Sequence, residues 1–234
     1  SSQQPAGGSS ETVASVSRAA YFALGGQLPL LPATAEECKR ISSAFSPGVF
    51  TSLESDEATE KNVRSHLAGR KFIHLAAHGL IDQQNDNLFG AIALTPPAGG
   101  ITSTDDDGFL YVNEIHNLPL ADCQLAVLSA CQTNVGPDRP LEAGPSIAQA
   151  FLAAGCRRVV CSHWSVDDAS TAELIGGFFE RLAQAADKTG AAGQTSGPID
   201  YATAFHQAQL KVRSQRQWAS PYYWAPFVLI GSPE

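Results

Sequence analysis

The chain has 234 residues, 44% of them hydrophobic, so it is long enough to bury a sizeable core in one large domain or two small ones. Its formal charge of −8 and pI of about 5.2 argue against broad binding to nucleic acids or anionic membranes, because both need basic patches. No apolar run reaches the roughly 18 residues of a membrane span, and no secretory leader is visible.

Predicted helices and strands alternate along the chain after residue 27. Residues 1–27 begin with a Ser-, Gln-, Gly- and Pro-rich stretch and are predicted as a linker or the end of a preceding region, and residues 28–234 as one domain. Thr34 and Glu37 have capping-box spacing, which predicts a helix from 35 to about 45. The other predicted helices are 59–69, 112–118, 145–154, 167–186 and 201–215, and the predicted strands are 49–50, 71–77, 89–94, 125–129, 158–162 and 227–230. This order predicts an α/β fold with a mostly parallel sheet.

Two apolar segments each end with a reactive side chain. One closes on His78 and Gly79, and the other on Cys131. Each reads as a strand buried on both faces, and ligands bind beyond the carboxyl ends of such strands in open α/β sheets. If the strands are neighbours, His78 and Cys131 lie side by side, which places a nucleophile beside its base.

Several segments together resemble the CHAT family of caspase-like domains. Cys131 comes about 50 positions after its His, as in caspases, although the S-A-C-Q-T sequence is not that of a caspase proper. The segments that carry the resemblance are LPATAEE, IHLAAHG, LAVLSACQT, GPSIAQAFLAAGCRRVVCSHWSVDD and YYWAPFVLIG. The resemblance implies a caspase-like three-layer α/β/α sandwich.

The resemblance implies a cysteine endopeptidase with a His-Cys dyad. Cys131 is the predicted nucleophile and His78 the acid/base, and the backbone N–H groups of Gly79 and Cys131 are the predicted oxyanion hole. As alternatives, Cys131 could be a small buried hydrophobe, His78 a satisfied polar residue at a strand end, and Gly79 only a turn residue. His74 is the competing histidine, and we interpret it as a core or supporting residue hydrogen-bonded to backbone.

The segment after the strand 158–162 is predicted to line a substrate cleft. Trp164 is expected to form a wall for an extended peptide, with Ser165 beside it. Asp167 or Asp168 could pair with a basic P1 residue, the residue before the scissile bond. The alternative is that Asp167 is an N-cap and Asp168 an acid in the first helical turn.

We predict no metal and no other cofactor. The acidic run 105–107 lacks the alternating ligand spacing of an EF-hand and is interpreted as a solvated charge run. Cys156, Cys161 and His163 lack the paired spacing of a zinc site.

Five cysteines, an odd number in a chain of this size, argue against a disulfide framework, so we expect a cytoplasmic protein. The chain contains no Met, so we expect a fragment, a processed form or an excised segment. The family implies that the absent part is N-terminal and a repeat or sensor region. The expected partners are a protein or peptide substrate and a regulatory region or protein, for which the family implies helical repeats. We expect neither nucleic acid nor membrane as a partner.

Three functions are compatible with these features. The first is a cysteine endopeptidase gated by a partner or by a missing N-terminal region. The second is a caspase-like scaffold that recruits partners with little or no catalysis. The third is a cysteine hydrolase acting on a non-peptide amide or ester.

Overall fold

A computed structural model describes residues 28, 31–46, 48–80, 90–98, 103, 106–129, 146–164, 167–190 and 199–232. The helices are α1 Pro32–Ala44, α2 Glu60–Leu67, α3 Val112–Ile115, α4 Ile147–Ala153, α5 Asp168–Gly190 and α6 Tyr201–Arg213. The strands are β1 Phe72–Leu75, β2 His78–Leu80, β3 Ala91–Ala93, β4 Phe109–Tyr111, β5 Leu125–Leu128, β6 Arg158–Ser162 and β7 Phe227–Gly231. Short 3-10 helices cover Ser55–Glu57, Arg216–Trp218 and Pro221–Tyr223.

The central sheet has the strand order β1-β5-β6-β7. β1 is parallel to β5 and β5 to β6, whereas β7 is antiparallel to β6. All four residues of β5 and all five of β6 are buried, as expected for strands covered on both faces. The mostly parallel sheet predicted from the sequence is confirmed.

Alternate residues of each central strand belong to different cores. Ala126 and Leu128 of β5 pack in a core with side chains of α2, α3 and α4. Leu125 and Val127 pack in a second core with side chains of α1, α5 and α6. Since successive strand residues point to opposite faces, helices cover both faces of the sheet, and the predicted three-layer α/β/α arrangement is confirmed.

The sequence did not reveal a second, small sheet. β2, β3 and β4 form an antiparallel sheet in that order. The strand predicted as 71–77 ends at Leu75, and β2 begins separately at His78. Residues 49–50, predicted as a strand, are not one. Strands of three residues are too short for alternation to be recognised, which is why β4 was missed.

The predicted capping box is wrong. Leu31 is the N-cap of α1, and Thr34 lies inside the helix, where its hydroxyl donates to the Leu31 carbonyl at 2.6 Å. Glu37 points inward because it shares a helical face with buried Ile41, four positions further on. The real capping box of this kind is at α4, where Ser146 and Gln149 exchange hydrogen bonds between side chain and backbone.

The interpretation of 105–107 as a solvated charge run is wrong for Asp107. Its side chain is fully buried, and its carboxylate accepts hydrogen bonds from the Phe109 N–H and the Tyr111 hydroxyl. Asp106 accepts from the exposed N–H of Lys61. The burial of Asp107 is explained by these donors, which anchor the start of β4. Asp105 lies outside the described residues.

Candidate active site

The carboxyl ends of β1 and β5 lie side by side. Leu75 is in register with Leu128, and the N–H of Ser129 donates to the Leu75 carbonyl at 2.9 Å. The chain continues from β1 toward His78 and from β5 toward Cys131. The predicted neighbourhood of the two strands is therefore correct, whereas Cys131 itself lies outside the described residues.

His78 begins the small sheet rather than ending the central one. It is half-buried and is in register with Ala93 of β3, and Gly79 is in register with Ile92. The turn from β1 into β2 thus keeps His78 close to the carboxyl edge of the central sheet while a separate sheet supports its backbone.

A cavity of about 20 Å³ opens beside His78. Ser129 forms one wall of it, and Thr34 of α1 and Asp168 of α5 form others. This volume holds roughly one water molecule. The cavity places His78 and Ser129, which precedes Cys131 by two positions, around the same space at the rim of the sheet.

A buried polar cluster lies under this rim. Glu37 Oε1 accepts a hydrogen bond from the Ser129 hydroxyl at 2.6 Å and lies 2.7 Å from His74 Nε2. His74 Nε2 is also 3.3 Å from Ser129 Oγ. The prediction that His74 supports the site from the core agrees with its burial, but its described partners are side chains rather than backbone.

His74 is charged in this environment. Burial alone would lower its pKa, but the charge of Glu37, with hydrogen bonds to Cys38 and Glu37, raises the pKa to about 9. The imidazolium and the Glu37 carboxylate are therefore an ion pair, with both side chains at most 6% exposed. An imidazolium held in this way cannot act as a general base at neutral pH, which leaves His78 as the base candidate.

The predicted cleft residues follow β6. This strand neighbours β5, and both strands end at the same edge of the sheet. Trp164 is 37% exposed, and its indole N–H donates to the Tyr222 carbonyl at 3.4 Å. Asp167 accepts from the N–H of Ser170 at 2.9 Å, so the structure shows its capping role at the start of α5. Asp168 lines the cavity beside His78. Ser165 lies outside the described residues.

Sequence reasoning missed Glu37 and Ser129 as parts of the site. The signal for Glu37 was its position four residues before Ile41 on the inward stripe of α1, where a carboxylate needs a buried partner. The signal for Ser129 was a hydroxyl directly after a continuous apolar strand.

The described ranges include four of the five cysteines and allow a search for metal-binding groups. There, Cys38 is partly exposed, and Cys123, Cys156 and Cys161 are buried. Burial raises the pKa of Cys161 to about 12, which leaves it a thiol at neutral pH. Among the same residues, no group of three His, Cys, Asp or Glu side chains is arranged to hold a metal ion.

A mostly parallel sheet between two helical layers, with His78 at its carboxyl edge, defines a caspase-like α/β/α domain. The sequence matches the CHAT domain family over residues 3–232, so the chain belongs to that family. It is accordingly a caspase-like, peptidase-related domain. No curated protein matches the chain. None of the helices in the described part is both long enough and apolar enough to cross a bilayer.

Proposed function

We propose that this domain is a cysteine endopeptidase in which Cys131 is the nucleophile and His78 the acid/base. The observation that carries the proposal is the shared rim: the Ser129 N–H bonds to the Leu75 carbonyl, and His78 and Ser129 line one cavity. Membership of the CHAT domain family supports the same function.

The proposed reaction has two steps, acylation of Cys131 and hydrolysis of the resulting thioester. His78 takes the Cys131 thiol proton as sulfur attacks the scissile carbonyl, and it then gives the proton to the leaving amine as the C–N bond breaks. Water, deprotonated by His78, next attacks the thioester, and the thiol leaves protonated. The backbone N–H groups of Gly79 and Cys131 would hold the oxyanion in both steps.

The substrate would lie extended along the carboxyl edge of β1, β5 and β6. Trp164 follows β6 there and exposes part of its ring, which suits a wall for a peptide. Asp168 is the better placed of the two acids to meet a basic P1 residue, since Asp167 is engaged in capping α5.

Regulation by a partner or by a further part of the chain belongs to the same proposal. Ligand pockets usually have 300–1,000 Å³, and the cavity beside His78 has about 20 Å³. A substrate side chain would enter if the walls of this cavity, which include α1 and the start of α5, moved apart. The small cavity also favours the second candidate function, a caspase-like interaction scaffold with little catalysis. We propose a cytoplasmic location, where a free thiol persists.

The test is labelling and cleavage by the dyad variants. A thiol-reactive peptide probe should label the protein in its active state, and peptide mass spectrometry should find the label on Cys131. Cys131→Ala should abolish both labelling and cleavage, whereas Cys123→Ala should retain them, because Cys123 precedes β5 and so lies at the opposite end of that strand from Ser129. Cleavage that survives Cys131→Ala would refute the nucleophile, and unlabelled Cys131 in an active assembly would favour the scaffold.

A further inference from the structure

A single buried carboxylate joins three parts of the molecule that surround the rim. Glu37 belongs to α1, His74 to β1, and Ser129 follows β5. Glu37 Oε1 lies 2.7 Å from His74 Nε2 and 2.6 Å from Ser129 Oγ, so one oxygen contacts both partners. Glu37 is 2% exposed, so water does not compete strongly for these contacts.

Stability alone does not explain this ion pair. A buried ion pair is often no more stabilising than apolar side chains of the same volume, because both charges lose their hydration. What the charged pair adds is directionality. His74 and Ser129 can satisfy Glu37 only when β1 and the chain after β5 keep one relative position.

Both positions are close in sequence to the proposed dyad. His74 precedes His78 by four positions, and Ser129 precedes Cys131 by two. The Ser129 N–H bonds to the Leu75 carbonyl, so the hydroxyl and the amide of Ser129 are both held. The rotation of the chain leaving β5 is therefore fixed at the last described residue before the thiol.

We propose that Glu37 is a positioning residue of this site, which acts through His74 and Ser129 to hold the segments carrying His78 and Cys131 in a reactive arrangement. This inference rests on the proposed function. A misplacement of about 1 Å at a reacting group can cost on the order of 100-fold in rate, so losing the carboxylate should affect chemistry more than substrate binding.

The experiment measures the reaction of Cys131 with iodoacetamide from pH 5 to 9, with peptide mass spectrometry to separate the five cysteines. The wild-type protein is compared with Glu37→Gln, Ser129→Ala, Ser129→Thr and His78→Ala. Glu36→Gln is the control, because it removes the same negative charge at an exposed position of the same helix. Thermal unfolding of each variant is recorded at the same time.

Glu37→Gln and Ser129→Ala should each slow the reaction at pH 7 by at least about tenfold and move its pH profile toward that of His78→Ala. Ser129→Thr, which keeps the hydroxyl, should recover part of the rate, and Glu36→Gln should match wild type. If Glu37→Gln does not fold, the reaction rates of the two Ser129 variants test the positioning role.

Two results would overturn the inference in different ways. In the first, the pH profile of wild type differs from that of His78→Ala, but folded Glu37→Gln and Ser129→Ala have the wild-type profile. This result would overturn the positioning role and leave the dyad standing. Identical profiles for wild type and His78→Ala would overturn the dyad, and the positioning role with it.

Discussion

The N–H of Asp107 donates to Glu60 Oε2 at 3.1 Å, and the side chains of both residues are fully buried. Glu60 is the first residue of α2, and Asp107 caps the turn into β4. This contact therefore connects the helix to the small sheet that carries His78. Burial, with the charge of Glu114, raises the pKa of Glu60 to about 8.

The first prediction concerns the pH dependence of stability. Glu60 ionises in the unfolded chain near its ordinary pKa of 4.5 but keeps its proton in the folded protein up to about pH 8. Between these two pKa values the unfolded state binds fewer protons than the folded state. The contribution of Glu60 to the free energy of unfolding therefore falls as pH rises, by at most about 1.4 kcal/mol per pH unit. Glu60→Gln cannot ionise and should lack this dependence.

Urea unfolding at pH 5 and pH 7.5 checks the prediction. The free energy of unfolding of wild type should fall relative to Glu60→Gln by up to about 3 kcal/mol between these pH values. Glu57→Gln, at an exposed position nearby, should behave as wild type. Arg64 Nη1 lies 3.0 Å from Glu60 Oε1, so a wild-type curve that rises relative to Glu60→Gln would instead mean that Glu60 is ionised and paired with Arg64.

The second prediction concerns the base. His78→Ala should lower kcat by about 100-fold to 10,000-fold, the range typical of a lost general acid/base, while the far-UV spectrum stays unchanged. His116→Ala is the control, because His116 is exposed just after α3. Steady-state kinetics on a cleaved peptide measures the effect. Equal kcat values for His78→Ala and His116→Ala would remove His78 from the mechanism.

The central sheet could be predicted because its strands are largely apolar. The predicted strand 158–162 coincides with Arg158–Ser162, and the helix predicted from Thr59 has Thr59 as its N-cap. These elements follow local rules of burial and capping. The resemblance to the CHAT family added the three-layer arrangement.

The small sheet and the partners of the buried acids could not be predicted from the local sequence. Glu37 contacts His74 and Ser129, which are 37 and 92 positions away in the chain, and the Asp107 N–H donates to Glu60, which is 47 positions away. The same limit applies to the site. His78 could be placed at a strand end, but its position in β2 depends on pairing with β3.

The third prediction separates the two acids at the start of α5. Asp168 lines the cavity beside His78, whereas Asp167 caps the helix. Asp168→Asn should lower kcat/KM for a peptide with Arg at P1 about tenfold relative to the same peptide with neutral citrulline, which corresponds to about 1.4 kcal/mol. Asp167→Asn keeps a capping oxygen and should leave that ratio unchanged. A change with Asp167→Asn alone would reverse the assignment.

The fourth prediction concerns the contact that fixes α1, and with it Glu37, on α5. Arg40 bonds Glu173 and Glu180 at 2.6 Å each. Burial would raise the pKa of Glu173, but hydrogen bonds from Arg40 and Lys211 lower it, so the carboxylate is ionised. Because Arg40 is 23% exposed, its charge contributes modestly, and Arg40→Gln should cost about 1 kcal/mol of unfolding free energy at low salt. In 1 M NaCl the loss should shrink by at least about half, since salt screens partly exposed pairs.

Exposed Lys39→Gln is the control in the same denaturation series. A loss that salt leaves unchanged would mean that packing of the Arg40 stem over Gly176, rather than charge, holds the helix.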